Sequence, residues 1–266
     1  MAVLGSATRA FAVDLAEVER SLNQKLKDKI ATLRTFYSGS ELRYAADGTL
    51  ENQAQTCPWT LCSKISISSV KLKDHRLLIR GERLMVYFEK EPLVAKYSHT
   101  RQQLEIEAAS VSSEEQIRQA LSGIFVGPGT KLSELVPEYW KGIVSRMEEN
   151  QHIAEKAAET KPGDPIAENK DIYRVGGSVR APRIRKAPDP EYPDLARGLR
   201  REGKLLLWAV VRPDGKIHDV RIARPLGLGF EERAVKAVEK WEFEPAQKDG
   251  KPVAVQLNIE INFRLR

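Results

Sequence analysis

The sequence predicts an α+β chain. A C-terminal antiparallel three-stranded sheet with two helices on one face follows a separate β-rich N-terminal domain that ends in helices. Three observations predict it. Val253 to Leu265 alternates without a fault: Val253, Val255, Leu257, Ile259, Ile261, Phe263 and Leu265 fall on one face, and Ala254, Gln256, Asn258, Glu260, Asn262 and Arg264 on the other. That is the period of a strand buried on one side, and it would run about 40 Å. Lys204 to Arg212 is almost continuously apolar, as a central strand covered on both faces would be. Between Lys29 and Glu107, period-two runs rich in β-branched residues alternate with turn signals, the mark of short strands.

With 266 residues, 41% apolar and 30% charged, the chain is long enough for two modest domains. Their expected spans are 14–147 and 175–266. The stretch between, 148–174, is rich in charged and small residues and contains Lys161-Pro-Gly-Asp-Pro165; as a flexible linker its ends would average about 30 Å apart. No apolar run reaches the roughly 18 residues of a membrane-spanning helix. The formal net charge of +6 belongs to the C-terminal third, where 19 Lys+Arg face 13 Asp+Glu from Gly176 onward. The two signs are interspersed, which describes a solvated surface better than a nucleic-acid footprint.

The N-terminal elements follow in order. Ile30-Ala-Thr-Leu-Arg-Thr-Phe36, Glu41-Leu-Arg-Tyr44 and Lys64 to Val70 read as strands, divided at Ser38-Gly39, Asp47-Gly48 and Lys73-Asp-His75. Arg76 to Phe88 is either one bent strand or two joined at Gly81, and a short antiparallel sheet or small sandwich results. Ser112-Ser-Glu-Glu115 has the form of a capping box opening a helix through Leu121. Leu135, Tyr139, Ile143 and Met147 recur at helical spacing, with Pro137 near the start. Cys57 and Cys62 would stand about 16 Å apart in an extended chain, too far to bridge. Pro58 can curl the segment into a disulfide loop; two unpaired thiols are the alternative. At the N-terminus, Ala10-Phe11-Ala12 has the small-x-small form of a signal-peptidase site, but the apolar stretch before it is short. It is either the tail of an export signal or an ordinary chain end.

No catalytic constellation emerges. The histidines His75, His99, His152 and His218 are scattered, and two cysteines make no zinc set. Gly123 to Lys131 lacks the Gly-Lys-Ser/Thr order of a phosphate loop, and Pro128 removes a backbone donor that such a loop needs. His218 and Asp219, adjacent in a strand, would point to opposite faces. Tyr37, Tyr44, Trp59 and Tyr87 suit cross-strand packing better than a ligand platform. The expectation is a non-enzyme without metal, cofactor, small-molecule substrate or nucleic acid.

The C-terminal signals are sharper. Pro193 opens a helix that carries Leu195, Ala196 and Leu199. Arg212-Pro-Asp-Gly-Lys216 is a hairpin turn, and Lys216 to Arg224 returns with Ile217, Val220 and Ile222 inward. Phe230, Ala234, Ala237, Val238 and Trp241 mark an amphipathic helix with Glu231, Glu232, Arg233, Lys236 and Lys240 outside. Lys248-Asp-Gly-Lys251 turns the chain into the last strand. The order second–first–last places the most apolar strand in the middle and leaves Val253–Phe263 at an edge, open to strand addition. Outward backbone donors there would be either the set of Gln256, Asn258 and Glu260 or the set of Leu257 and Ile259.

These motifs, in this order and spacing, carry a resemblance: Pro190-Glu-Tyr-Pro193 followed by Ala196, then Glu202-Gly203, Pro213-Asp-Gly215, Trp241-Glu-Phe-Glu-Pro245 and Asp249-Gly-Lys-Pro-Val253. Over residues 175–266 the chain resembles the C-terminal domain of the TonB family, with Val175-Gly-Gly-Ser-Val179 similar to family members labelled energy transducers. The resemblance implies a periplasmic domain that binds the TonB box of a TonB-dependent outer-membrane receptor and supports active transport across the outer membrane. The box would add as a strand along Val253, Ala254, Val255, Gln256, Leu257, Asn258, Ile259, Glu260, Ile261, Asn262 and Phe263. Asp189, Pro190, Glu191 and Tyr192 would approach the receptor. In the family an ExbB–ExbD membrane complex drives the anchored N-terminus, and here that partnership is expected only if an upstream anchor precedes this sequence. The competing expectation is an envelope protein whose basic domain contacts peptidoglycan or another anionic surface without energy transduction. Binding lost on adding about 0.5 M salt would favour that surface, because backbone pairing is screened much less.

Overall fold

The computed structural model describes residues 15–88, 95–127, 129–153 and 171–265. The Ala10-Phe11-Ala12 stretch and most of the expected linker, 154–170, lie outside the described residues. Helix α1 (Leu15–Leu26) turns Val18, Leu22 and Leu26 towards the first core. Strand β1 (Ile30–Thr32), β2 (Glu41–Tyr44), the short helix α2 (Trp59–Cys62), β3 (Lys64–Lys73), β4 (Arg76–Phe88) and β5 (Ala95–Ala108) follow. The strands form one sheet in the order β1-β3-β4-β5-β2. The expected antiparallel sheet is mixed, because β2 runs parallel to β5.

Helix α3 (Glu114–Ile124) closes the core of this sheet with Ile117, Ala120 and Ile124. Its cap lies one residue beyond the expected box. Ser113 is the N-cap and its hydroxyl accepts from the Gln116 N–H at 3.2 Å, while the Gln116 side chain accepts from the Ser112 N–H at 2.8 Å. Helix α4 (Glu138–Ile153) starts directly after Pro137, and Trp140, Ile143, Val144 and Met147 are buried.

Strand β4 shows why the two halves of the chain belong together. Up to Gly81 its burial alternates, as in a strand with one wet face; from Arg83 to Val86 every residue is buried. The far end of the strand is covered on both sides. Here Tyr87 bridges Gly227, the Phe88 N–H donates to Leu226 O at 3.2 Å, and the Leu228 N–H donates to Val86 O at 3.3 Å. A Cβ on Gly227, whose φ is +83, would stand 2.4 Å from Val86 O, so only glycine permits this approach. One buried cluster therefore takes in Trp59, Met85, Val86, Trp140 and Val144 together with Leu205, Leu207, Phe230, Ile259 and Phe263.

Cys57 and Cys62 form a disulfide with Cα atoms 5.9 Å apart, closed by α2. The turn seats Trp59 against Trp140 and Phe88, with ring centroids 5.1 and 6.3 Å away. Beneath it lies Arg83, 2% exposed, whose guanidinium donates to the carbonyls of Tyr37, Gly39 and Cys62 at 2.9 to 3.3 Å. Burial pulls its pKa down.

The C-terminal part contains β6 (Ile172–Arg174), β7 (Val179–Arg180), β8 (Arg183–Lys186), α5 (Asp194–Gly198), β9 (Gly203–Val211), β10 (Ile217–Arg224), α6 (Phe230–Val238), β11 (Glu242–Glu244), β12 (Ala246–Lys248) and β13 (Lys251–Phe263). The order β10-β9-β13 is antiparallel, as expected, but the sheet has six strands rather than three. β12 and β7 extend it beyond β13, β6 also pairs with β13, and β8 pairs with β11 as a separate ribbon. These extra strands are two to four residues long, too short for a period to register.

Replacing Arg83 with leucine removes the donor shared by three carbonyls and is expected to lower stability by about 3 kcal/mol. The measurement is a lower denaturant midpoint at unchanged slope. The double variant Cys57→Ser, Cys62→Ser should lose about 2 kcal/mol relative to the oxidised chain, and reducing the native chain should reproduce that loss.

Candidate functional site

The site is built on β13. Its apolar set faces the helices, with Val255, Ile259, Ile261 and Phe263 buried, while Asn258, Glu260 and Asn262 are exposed. β9 covers one edge from Val255 opposite Val211 to Phe263 opposite Gly203. Lys204 on β9 pairs with Glu260 across the wet face at 2.8 Å.

The other edge is only partly free. β12 pairs with Lys251 to Val253, and β6 lies parallel to Ala254, Val255 and Gln256, opposite Ile172, Tyr173 and Arg174. The Lys248 ammonium sits over the Tyr173 ring, 4.4 Å from its centroid. Among the described residues no strand pairs with the outer edge from Leu257 to Phe263. The edge expected over Val253–Phe263 is thus occupied by the chain itself over its first four residues, Val253 to Gln256. The Ile-Tyr-Arg-Val run at 172–175, with its β-branched and aromatic residues, was the available signal for β6, although its first three residues fall inside the stretch read as linker.

The orientation of the edge follows from the hairpin that joins β9 to β10. The Arg212 N–H donates to Lys216 O at 3.0 Å and the Arg212 carbonyl accepts from the Gly215 N–H at 2.9 Å, so Arg212 faces β10 and, by alternation, Val211, Ala209, Leu207 and Leu205 face β13. The register between β9 and β13 carries no bulge. Val255, Leu257, Ile259 and Ile261, opposite them, therefore direct their backbone groups to β9, and Gln256, Asn258, Glu260 and Asn262 direct theirs outward. The Leu265 N–H, of the same parity as the inner set, donates to the Glu202 carboxylate on the β9 side at 2.5 Å. Of the two sets left open by the sequence, the even-numbered one is the outward one.

The segment Asp189–Tyr192 is held at both ends. The Trp241 indole N–H donates to Pro188 O at 3.0 Å. The Tyr192 hydroxyl donates to Arg201 O, and its ring meets Phe230 and Phe263 edge-on at 5.5 and 5.7 Å. Tyr192 is thereby brought to the end of β13. Glu191 is tied to Arg233 on α6 instead; Asp189 is exposed and Pro190 half-buried.

The remaining sequence candidates do not assemble. His218 and Asp219 turn to different partners, Asp214 at 3.7 Å and Arg212 at 3.3 Å. Tyr44 and Trp59 are core residues, each 1% exposed. Gly123 ends up in α3 with its Cα against Gly48, where a Cβ would be 2.6 Å away. Glu231, expected outside on α6, is fully buried. It shares a helix face with Ala234, Val235 and Val238, a spacing that could have flagged it.

Comparison with known proteins bears on the same region. The family model described as Gram-negative bacterial TonB protein C-terminal matches residues 188–265. Protein TonB of Escherichia coli K12 is 33% identical over 90 residues, 33% of this chain and 37% of that protein. Protein tonB2 of Pseudomonas aeruginosa is 34% identical over 79 residues, 29% of each. The chain thus spans little more than a third of these relatives at most. The solution structure of the Pseudomonas aeruginosa TonB C-terminal domain covers 35% of this chain and 91% of that one, at 25% identity and a TM-score of 0.29. By its motifs and by the family match over residues 188–265, the C-terminal third of this chain is identified with the TonB C-terminal family.

Proposed function

We propose that this is a TonB-like cell-envelope protein whose C-terminal domain captures an extended peptide, the TonB box of an outer-membrane receptor, by adding it as a strand to β13. The observation that carries the reading is the unpaired outer edge of Leu257 to Phe263 on a strand otherwise fully engaged. Main-chain hydrogen bonds supply affinity there with little demand on side chains, and they resist force applied along the strand. About 20 Å of edge is open, enough for roughly six residues of a partner. Tyr192, edge-on to Phe263, borders the end of that edge.

The working place proposed for the chain is the periplasm. The Cys57–Cys62 disulfide supports an oxidising compartment. Among the described residues no helix is long and apolar enough to cross a membrane; partnership with an ExbB–ExbD complex is proposed for the chain only together with an upstream anchor. Cell fractionation should recover the native protein with the periplasmic fraction; finding all of it in the cytosol overturns the proposal.

A second reading, adhesion to an anionic envelope surface, draws on β8, whose Arg183, Ile184, Arg185 and Lys186 are all exposed. Arg185 and Lys186 lie 3.7 and 3.8 Å from Glu244 and Glu242, so much of this charge is already met.

The mechanism is tested with a synthetic TonB-box peptide and fluorescence anisotropy. Asn258→Pro removes an outward N–H at an exposed position and is expected to weaken capture at least tenfold, about 1.4 kcal/mol, in a chain shown to be folded. Asn258→Ala keeps the backbone and should bind within about twofold of native, a change under about 0.5 kcal/mol. Leu257→Pro instead breaks the ladder to Ala209 on β9, so its primary effect is lower stability. A folded Asn258→Pro chain that binds as the native one does would rule out addition at this edge. Binding lost at about 0.5 M salt and unchanged by proline would favour the anionic surface.

A further inference from the structure

The contact between the two halves of the chain contains two carboxylates that the β13 edge does not use. Glu231 on α6 is fully buried. Its Oε1 accepts from the N–H groups of Leu226 at 2.5 Å and Gly227 at 2.8 Å, and its Oε2 is buried without a hydrogen-bond partner. Glu232 accepts the Trp140 indole N–H through Oε1 at 3.0 Å, and its Oε2 is also buried and unpartnered. The loop before α6 offers only backbone donors to these groups. Helix α4 offers Tyr139 and Trp140, its Lys141 being tied to Glu138 at 2.6 Å. Helix α2 brings the Thr60 hydroxyl, which accepts from the Gly229 N–H at 3.2 Å. From the end of β4 comes Tyr87, with the Arg201 guanidinium 5.7 Å from its ring centroid. On α6 itself Arg233 is tied to Glu191, Lys236 is exposed, and beyond its end Glu239 adds a further negative charge while Lys240 is exposed. Among the described residues no ion pair reaches either buried carboxylate.

Two adjacent carboxylates shielded from water cannot both be charged without a large penalty. We propose that this junction is a proton-operated latch: α2, α4 and the end of β4 dock on α6 with Glu231 neutral, and ionisation of that carboxylate favours their release. The inference concerns the junction alone and stands whether or not β13 captures a peptide.

The electrostatics give the direction. Burial, reinforced by the neighbouring Glu232, pushes the Glu231 carboxyl from its ordinary 4.5 up to about 8. Burial raises Glu232 as well. Burial and the nearby glutamates also raise the Tyr139 phenol, which therefore stays neutral. A released Glu231 gives up its proton above its ordinary value, whereas a docked one retains it. Docking is therefore strongest below about pH 4.5, weakens by up to tenfold per pH unit as pH rises to about 8, and levels off beyond.

Hydrogen exchange of the full chain, followed by mass spectrometry from about pH 5 to pH 9 and corrected for intrinsic rates, tests the latch. Peptides covering 59–63, 84–88 and 226–230 report the junction; peptides covering 65–72 and 205–211 are controls. Junction protection is expected to fall at least tenfold more than control protection between about pH 5 and pH 8. Glu231→Gln keeps an acceptor for Leu226 and Gly227 but cannot ionise, and it should abolish the extra loss. Equal loss at junction and controls, or an unchanged pH profile in Glu231→Gln, overturns the proposal. Should Glu231→Gln fail to fold, Glu232→Gln decides: removing that neighbouring charge should move the levelling point down by at least about half a pH unit, and an unmoved profile overturns the latch.

Discussion

The antiparallel ladder between β9 and β13 is the constraint on which the rest depends. Every second residue of β13 gives its N–H and C=O to β9, and the bonding of Arg212 to Lys216 in the β9–β10 hairpin sets which residues those are. Once that parity is set, the side-chain faces follow, because the same alternation sends Val255, Ile259, Ile261 and Phe263 into the core. The polar residues of the strand are left on the wet face with their main chains turned to the outer edge. The outward backbone groups thus belong to residues whose side chains are solvated. A side-chain change at Asn258 or Glu260 alters the surface beside the edge without altering its hydrogen-bonding groups.

What remains of the edge is defined by short pieces of the same chain. β12 covers the start of β13 because a two-residue turn forces it to, and β6 continues the cover for three residues. The open part begins where β6 stops. At its far end the aromatic group of Tyr192, Phe230 and Phe263, with centroids 4.6 to 5.7 Å apart, packs the segment before α5 against the last buried residue of the strand. Such edge-on contacts add a modest, directional stabilisation to the area that they bury.

The two halves are joined by backbone approach and by buried polar groups, and each has a consequence. Gly227 lets β4 come close enough to share main-chain hydrogen bonds with the loop before α6. That approach removes water from Glu231 and Glu232. An isolated carboxylate in such a place is strongly disfavoured as an anion. Two N–H groups and one indole N–H serve three of the pair's interactions, and two oxygens go without. The junction is accordingly sensitive to protonation, whereas the aromatic contacts of Trp59, Phe88 and Trp140 beside it are not.

Local pattern was sufficient for much of this protein. The thirteen-residue β13, the apolar β9, the hairpin at Pro213-Asp-Gly215 and the stripe of α6 are long or chemically specific enough to be read directly, since period, turn chemistry and capping act between near neighbours. The TonB-like motifs were legible for the same reason. Only the tertiary structure decided the rest. The short strands β6, β7, β8, β11 and β12 have too few residues to carry a period. The parallel placing of β2 beside β5 and of β6 beside β13 depends on distant partners. Arg83 and Glu231 read as surface charges until a second layer covers them. Cys57 and Cys62 left two readings open until α2 curled the chain between them. Periodicity records which face of an element is apolar, but the other half of the chain determines how much of the remaining face is also taken from water.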